Sequence, residues 1–180
     1  MRIGEQNPQN TGRRRAARCA ADRSYLRSGS HWAGPEGLKE ESIMANTQIA
    51  DKAQEFIDAL HTLEQGTSDD ANSVAALFAT DAALHNSALD NKNSELKGSD
   101  EILQFWVEYK ETLGQIESKF HHVTTSDNAA GLFWTTTGQN PEGNEVNYHG
   151  STLLQYNTEG LIEFFRGYYD TRELAVKGKN

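Results

Sequence analysis

The spacing of apolar residues in this chain changes once, at Gly114, and that change restricts it to a small set of folds. Ile49, Ala53, Phe56, Ile57, Leu60 and Leu63 recur every three or four positions with Asp51, Lys52, Glu55 and Asp58 between them, which predicts an amphipathic helix over about 48–64. Gly66-Thr67-Ser68-Asp69-Asp70 breaks that helix and puts acids at the start of a short second one carrying Val74, Leu77 and Phe78. Residues 82–86 read as a short strand and 87–98 as a polar loop over a pocket mouth. Ser99 is read as the cap of a third helix, whose buried stripe is Ile102, Leu103, Phe105, Trp106, Tyr109 and Leu113.

After Gly114 the alternation has period two. Segments 116–125, 129–138, 145–156 and 161–169 are rich in Thr, Val, Phe, Tyr and Trp and are separated by short polar turns. Four consecutive strands with hairpin-length links predict an antiparallel meander, and the helices that precede them must cover one of its faces. The expected class is therefore α+β, with four long strands and one short strand curved around three N-terminal helices. The spacing shows no internal repeat.

Charge divides the chain. The formal net charge of −9 conceals a leader, residues 1–43, with eight Lys and Arg against five acids, and a body, 44–180, with nine basic and twenty-one acidic residues. A body of that sign repels phosphate backbones, so nucleic acid is not an expected partner. No run of apolar residues is long enough to span a membrane. Cys19 is the sole cysteine and lies in the leader, which leaves the body with no disulfide or cysteine-based metal site and suits a cytoplasmic location. The leader, with Arg13-Arg14-Arg15, two prolines and little apolar periodicity, reads as disordered.

Lys39-Glu40-Glu41 can be encoded by a purine run resembling a bacterial ribosome-binding site, six nucleotides before the codon of Met44. Met44 is accordingly expected to be the true start, with 44–180 as the functional domain.

Several stretches resemble the nuclear-transport-factor-2-like superfamily and its SnoaL-like branch. Val74 to Ala83 (VAALFATDAA) is similar to the close of the second helix in those proteins, and Leu96 to Ile102 (LKGSDEI) to the entry of the third. Gly150 to Asp170 (GSTLLQYNTEGLIEFFRGYYD) is similar to the closing strand, turn and strand. The resemblance covers about 46–175 and implies a cone with a binding site between sheet and helices. Relatives include polyketide cyclases, ketosteroid isomerase, epoxide hydrolases and non-catalytic binders or dimerisation modules, so the residues must decide the chemistry.

Strand parity combined with the resemblance turns Leu132, Trp134, Tyr148, Thr152, Phe165 and Tyr169 inward. With Phe56, Trp106 and Asn86 they make an aromatic cavity suited to a small, largely apolar molecule. The resemblance places the base of ketosteroid isomerase at Asn86, its hydrogen-bonding acid at Thr152 and the epoxide hydrolase acid at Gly167, so none of these carboxylates is present. The remaining titratable candidates are His85 and His122 as bases, with Tyr148 or Tyr169 as donor. His85 needs a one-residue slip to face inward, and His121 and His122, being adjacent, are expected on opposite faces. His149 falls on the outer face. Two readings stay open: a cofactor-independent isomerase, cyclase, dehydratase or hydrolase working by proton transfer, or a catalytically silent binding or dimerisation module. No metal or cofactor is expected, and the expected protein partner is a second copy through the outer sheet face. Intact-mass measurement of the product of the native gene checks the start: the expected mass begins at Met44, and a mass beginning at Met1 overturns it.

Overall fold

The computed structural model describes residues 35–92 and 94–174, with side chains from residue 47 onward. Cys19 and most of the basic leader lie outside the described residues. Helix α1, Pro35–Gln65, starts well before the expected 48 and runs through Met44. Proline suits its first position because that N–H has no partner inside a helix. A single 3-10 turn, Ser68–Asp70, and the short α2, Ala71–Ala75, follow.

Strand β1, Phe78–Asn86, is longer than the expected short strand: Leu77 and Phe78, read as helical, leave α2 and lead into it. Helix α3, Ser87–Asp90, and the two-residue β2, Leu96–Lys97, occupy the polar segment. Helix α4 is Gly98–Leu113, so Ser99 falls inside its first turn. The backbone N–H of Lys97 donates to Glu101 at 2.7 Å instead. Gly114, with φ of 70°, makes the change from helix to strand in a backbone region that residues with a side chain disfavour.

The four long strands occur where the spacing placed them: β3 Gln115–Thr125, β4 Ala129–Gln139, β5 Glu145–Tyr156 and β6 Ile162–Tyr169. A short helix α5, Thr171–Leu174, follows. The sheet order is β2-β1-β6-β5-β4-β3. The antiparallel meander is as expected, but β1 adds to β6 in parallel, pairing Asn86 with Gly167. Local spacing carries no information about that pairing, because the two strands are far apart in sequence. The result is a six-stranded, curved, unclosed mixed sheet with helices on its concave side.

The core fills that concave side. Phe56 and Leu63 of α1, Ile102 and Trp106 of α4, and Leu132 and Leu154 of the sheet are fully or almost fully buried. Gly150 permits the close packing of the sheet's centre. A Cβ there would stand 2.3 Å from the Tyr168 carbonyl oxygen and 2.9 Å from the Trp134 ring. No described helix is long and apolar enough to cross a membrane.

Candidate binding cavity

Strand register builds the floor of the site in rows, because residues paired across strands share a face. Ser118, Thr136 and Tyr148 form one row across β3, β4 and β5. Phe120, Trp134, Gly150 and Tyr169 form the next. Leu132, Thr152, Gly167 and Asn86 form a third. Helix α4 lies opposite and contributes Trp106 and Tyr109, and α1 contributes Phe56. Between them is a cavity of about 410 Å³. Lys92, Glu108 and Thr112, all exposed, border its mouth beside Ala88 and Leu89 of α3, so the 87–98 segment does overlie the opening.

The middle row is aromatic. Trp134 meets Tyr148 edge-on at 5.2 Å between ring centres, and Tyr148 meets Tyr169 in the same way at 5.7 Å. The Trp134 indole N–H donates to Thr152 Oγ1 at 3.0 Å, fixing the ring and leaving the Thr152 proton for another partner. Asn86 is buried at the end of β1, where its Oδ1 accepts from the N–H groups of Ala88 and Leu89, each at 2.9 Å, and caps α3. That bond leaves the amide NH₂ as the group Asn86 can offer the cavity.

Of the expected wall residues, Phe56, Asn86, Trp106 and Trp134 reach the cavity, as do Tyr148, Thr152, Phe165 and Tyr169. Leu132 does not: it is fully buried in the main core, in the row of Thr152 but covered by packing. The histidines are elsewhere. His85 keeps its outward parity, with Nε2 3.1 Å from Glu95 and its ring 5.3 Å from Phe164, so the slip that would turn it inward does not occur. His121 and His122 do not take opposite faces. A bulge in β3 sets His122 against Phe133 while Phe120 stays opposite Trp134, and the extra residue turns both imidazoles to the outer side. His121 contacts Thr135 Oγ1 at 2.9 Å, and the His122 ring lies 6.2 Å from that of Phe133. His149 is exposed, with Nδ1 3.2 Å from Glu173. Among the described residues no three His, Cys, Asp or Glu side chains gather as a metal site would need.

Sequence reading missed Glu64. This carboxylate is 1% exposed and accepts from three donors: Tyr109 Oη at 2.8 Å, the Ser118 N–H at 2.8 Å and Ser118 Oγ at 2.5 Å. Ser118 Oγ also lies 2.7 Å from Thr136 Oγ1. Lys110, itself buried, donates to the carbonyl oxygens of Glu64 at 2.6 Å and Gly114 at 3.0 Å. A signal existed, because Glu64 falls four residues after Leu60 and seven after Ile57, on the apolar stripe of its helix. A buried carboxylate survives only with such partners, since unpaired it would carry its full desolvation cost.

A SnoaL-like domain model matches residues 53–165, and the chain belongs to that family. None of the curated proteins matches it significantly. Solved structures share the fold at low identity. An LEH-like epoxide hydrolase of M. tuberculosis is 18% identical, with TM-score 0.56, over 71% of this chain and 86% of that one. The BvnE pinacolase of Penicillium brevicompactum is 10% identical, with TM-score 0.59, over 71% and 89%. A Mycobacterium tuberculosis protein solved with estradiol-17β-hemisuccinate is 16% identical, with TM-score 0.57, over 70% and 96%.

Burial raises the pKa values of the cavity phenols. It pushes Tyr109 well above the ordinary value near 10, with further contributions from the neighbouring Tyr148 and Glu64. It also pushes up Tyr148, where the nearby Tyr169 and Glu64 add to the effect, and Tyr169 beside them. A pKa raised in the folded state means that the fold holds protons the unfolded chain releases. That stability is fully present below about pH 10 and is lost as pH rises above it. The urea midpoint is therefore expected to hold steady to about pH 9.5 and fall beyond pH 10, with a shallower fall in Tyr148→Phe. Equal slopes in the two proteins would remove Tyr148 from this account.

Proposed function

We propose that this protein binds a small, largely apolar ring molecule in the cavity between α4 and the sheet. The observation that carries the reading is the row of Phe120, Trp134 and Tyr169 across the floor of a cavity of about 410 Å³, flanked by hydroxyl groups on one side and an amide on the other. Apolar walls with a few convergent polar groups are what small-molecule sites are made of. The fold neighbour solved with a steroid derivative supports a ligand of this size.

Binding without chemistry fits the residues better than proton transfer. Burial keeps Tyr109 and Tyr148 protonated, and the carboxylate behind them is met by three donors. His85 and His122 stand on the other side of the sheet. Proton transfer remains the second reading because fold neighbours include an epoxide hydrolase and an epoxide hydrolase/cyclase-like enzyme.

A thermal-shift and native mass spectrometry screen against steroid, terpene and polyketide-like compounds tests the binding reading. Stoichiometric binding that raises the melting temperature, and is lost in Trp134→Ala, is the expected outcome. Binding unchanged in Trp134→Ala would place the ligand elsewhere.

We also propose that a second copy covers the outer sheet face. Phe133 and Tyr168, both paired with Ser151, are exposed there at 45% and 47%. Light scattering is expected to give a dimer that Phe133→Asp converts to monomer; a wild-type monomer refutes it.

A further inference from the structure

We infer that Asn86, Gly167 and Thr152 form a seat for one acceptor oxygen of the ligand, so that the apolar molecule this cavity takes is a cyclic ketone or a related ring carbonyl compound. The inference rests on the binding reading above and names the chemical class which that reading leaves open.

The amide of Asn86 has a single orientation. The side-chain atom 2.9 Å from the N–H groups of both Ala88 and Leu89 must be the oxygen, because a nitrogen there would set donor against donor. The amide nitrogen is thereby turned away from the α3 backbone. Asn86 is 5% exposed and lines the cavity. Among the described residues, the side-chain polar atoms sealed in protein without a partner are Trp106 Nε1, Tyr156 Oη and Arg166 Nε. The Asn86 nitrogen is not one of them, and no acceptor meets it, so it opens on the cavity. A buried NH₂ in that position keeps its desolvation cost until a ligand supplies an acceptor.

Thr152 faces Asn86 across one strand. Both pair with Gly167, so their backbones stand two strand spacings apart, about 10 Å, with no side chain between them. Thr152 Oγ1 accepts from Trp134 and keeps its one proton to give. Gly167 differs from Gly150 in that nothing around it demands a glycine. A Cβ there would meet the Asn86 Cβ and the Phe165 ring at 3.6 Å and the Tyr169 ring at 3.9 Å, all ordinary contacts, and its φ is not positive. Glycine inside a strand weakens it, and one such use is a place where a ligand approaches the backbone. The missing side chain leaves room for one small group between two donors, walled by the Phe165 and Tyr169 rings. A carbonyl oxygen suits that room, since it accepts from two sides and brings no proton of its own. The Tyr148 and Tyr169 hydroxyls can give or accept and set no preference, whereas the Asn86 nitrogen can only give. A hydrocarbon leaves it unmatched, and an ammonium group sets donor against donor. Leaving a buried donor unmatched is what makes such a site discriminate.

The probes are 1-tetralone and tetralin, which differ in one carbonyl group, titrated calorimetrically against the full-length protein, with circular dichroism to confirm that each variant is folded. A cavity with nothing to donate would favour tetralin, because the ketone must give up water from its oxygen. Wild type is expected to prefer 1-tetralone on the order of tenfold, the worth of the hydrogen bonds the seat supplies. The carbonyl stretch of the bound ketone is expected at lower wavenumber than in hexane. Asn86→Ser keeps a capping oxygen for α3 and removes the NH₂. Its preference is expected to fall to parity or reverse, with the carbonyl stretch moving back up. Gly167→Ala, whose methyl takes the oxygen's place without a clash, is expected to do the same and serves if Asn86→Ser does not fold. Wild-type affinity for tetralin equal to or above that for 1-tetralone, or a folded variant of either kind that keeps the ketone preference, overturns the inference and leaves the binding reading standing. Failure of wild type to bind either probe overturns both.

Discussion

One buried carboxylate joins the helices to the sheet. Glu64 lies in the last turn of the long first helix, and its three donors come from α4 and β3. Its own backbone carbonyl takes the ammonium of Lys110, which also donates to the carbonyl of Gly114 just past the end of α4. Three elements are therefore fixed to each other by polar contacts at a point where apolar packing alone would leave their rotation free. A half-satisfied network of this kind would be worse than an apolar core, because each unmatched group in a low-dielectric interior retains its desolvation cost. The arrangement persists because Ser118 supplies both a backbone and a side-chain donor to the same carboxylate.

That junction also has a consequence for the site. The side chains that satisfy Glu64, Ser118 and Tyr109, also line the cavity, so the contacts that join the elements set which way those two hydroxyl groups point. The aromatic row beside them is held in a comparable way. Trp134 is fixed by its bond to Thr152, by edge contact with Tyr148 and by the absence of a side chain at Gly150. The cavity is thus a preorganised space, which lowers what a ligand must give up on binding.

Much of this was legible in the sequence. The change of period at Gly114 gave the α+β class, the four long strands and the sorting of their residues into two faces, and the SnoaL-like resemblance said which face is inward, which placed Trp134, Tyr148, Thr152, Phe165 and Tyr169 at the cavity. Parity fails where the count of residues fails. One extra residue in β3 put His121 and His122 on the same side, and no local pattern in that stretch of the sequence announces it. Leu132 has the right parity but lies in the packed core, because parity reports a face and not the depth at which a cavity opens. Glu64 was readable in principle as an acid on an apolar stripe, yet its importance depends on three donors from segments about fifty residues away.

By itself the sequence determined the order and type of the elements, because helical and strand periodicities are properties of neighbouring residues. It also established that the body carries a strong negative charge and lacks cysteine. Tertiary structure alone decided that β1 pairs with β6 in parallel, that His121 and His122 share the outer face and that a buried glutamate takes the hydroxyl protons of Ser118 and Tyr109. Each of these depends on residues distant along the chain meeting at hydrogen-bonding range, and hydrogen bonds between distant residues leave no periodic trace in the sequence.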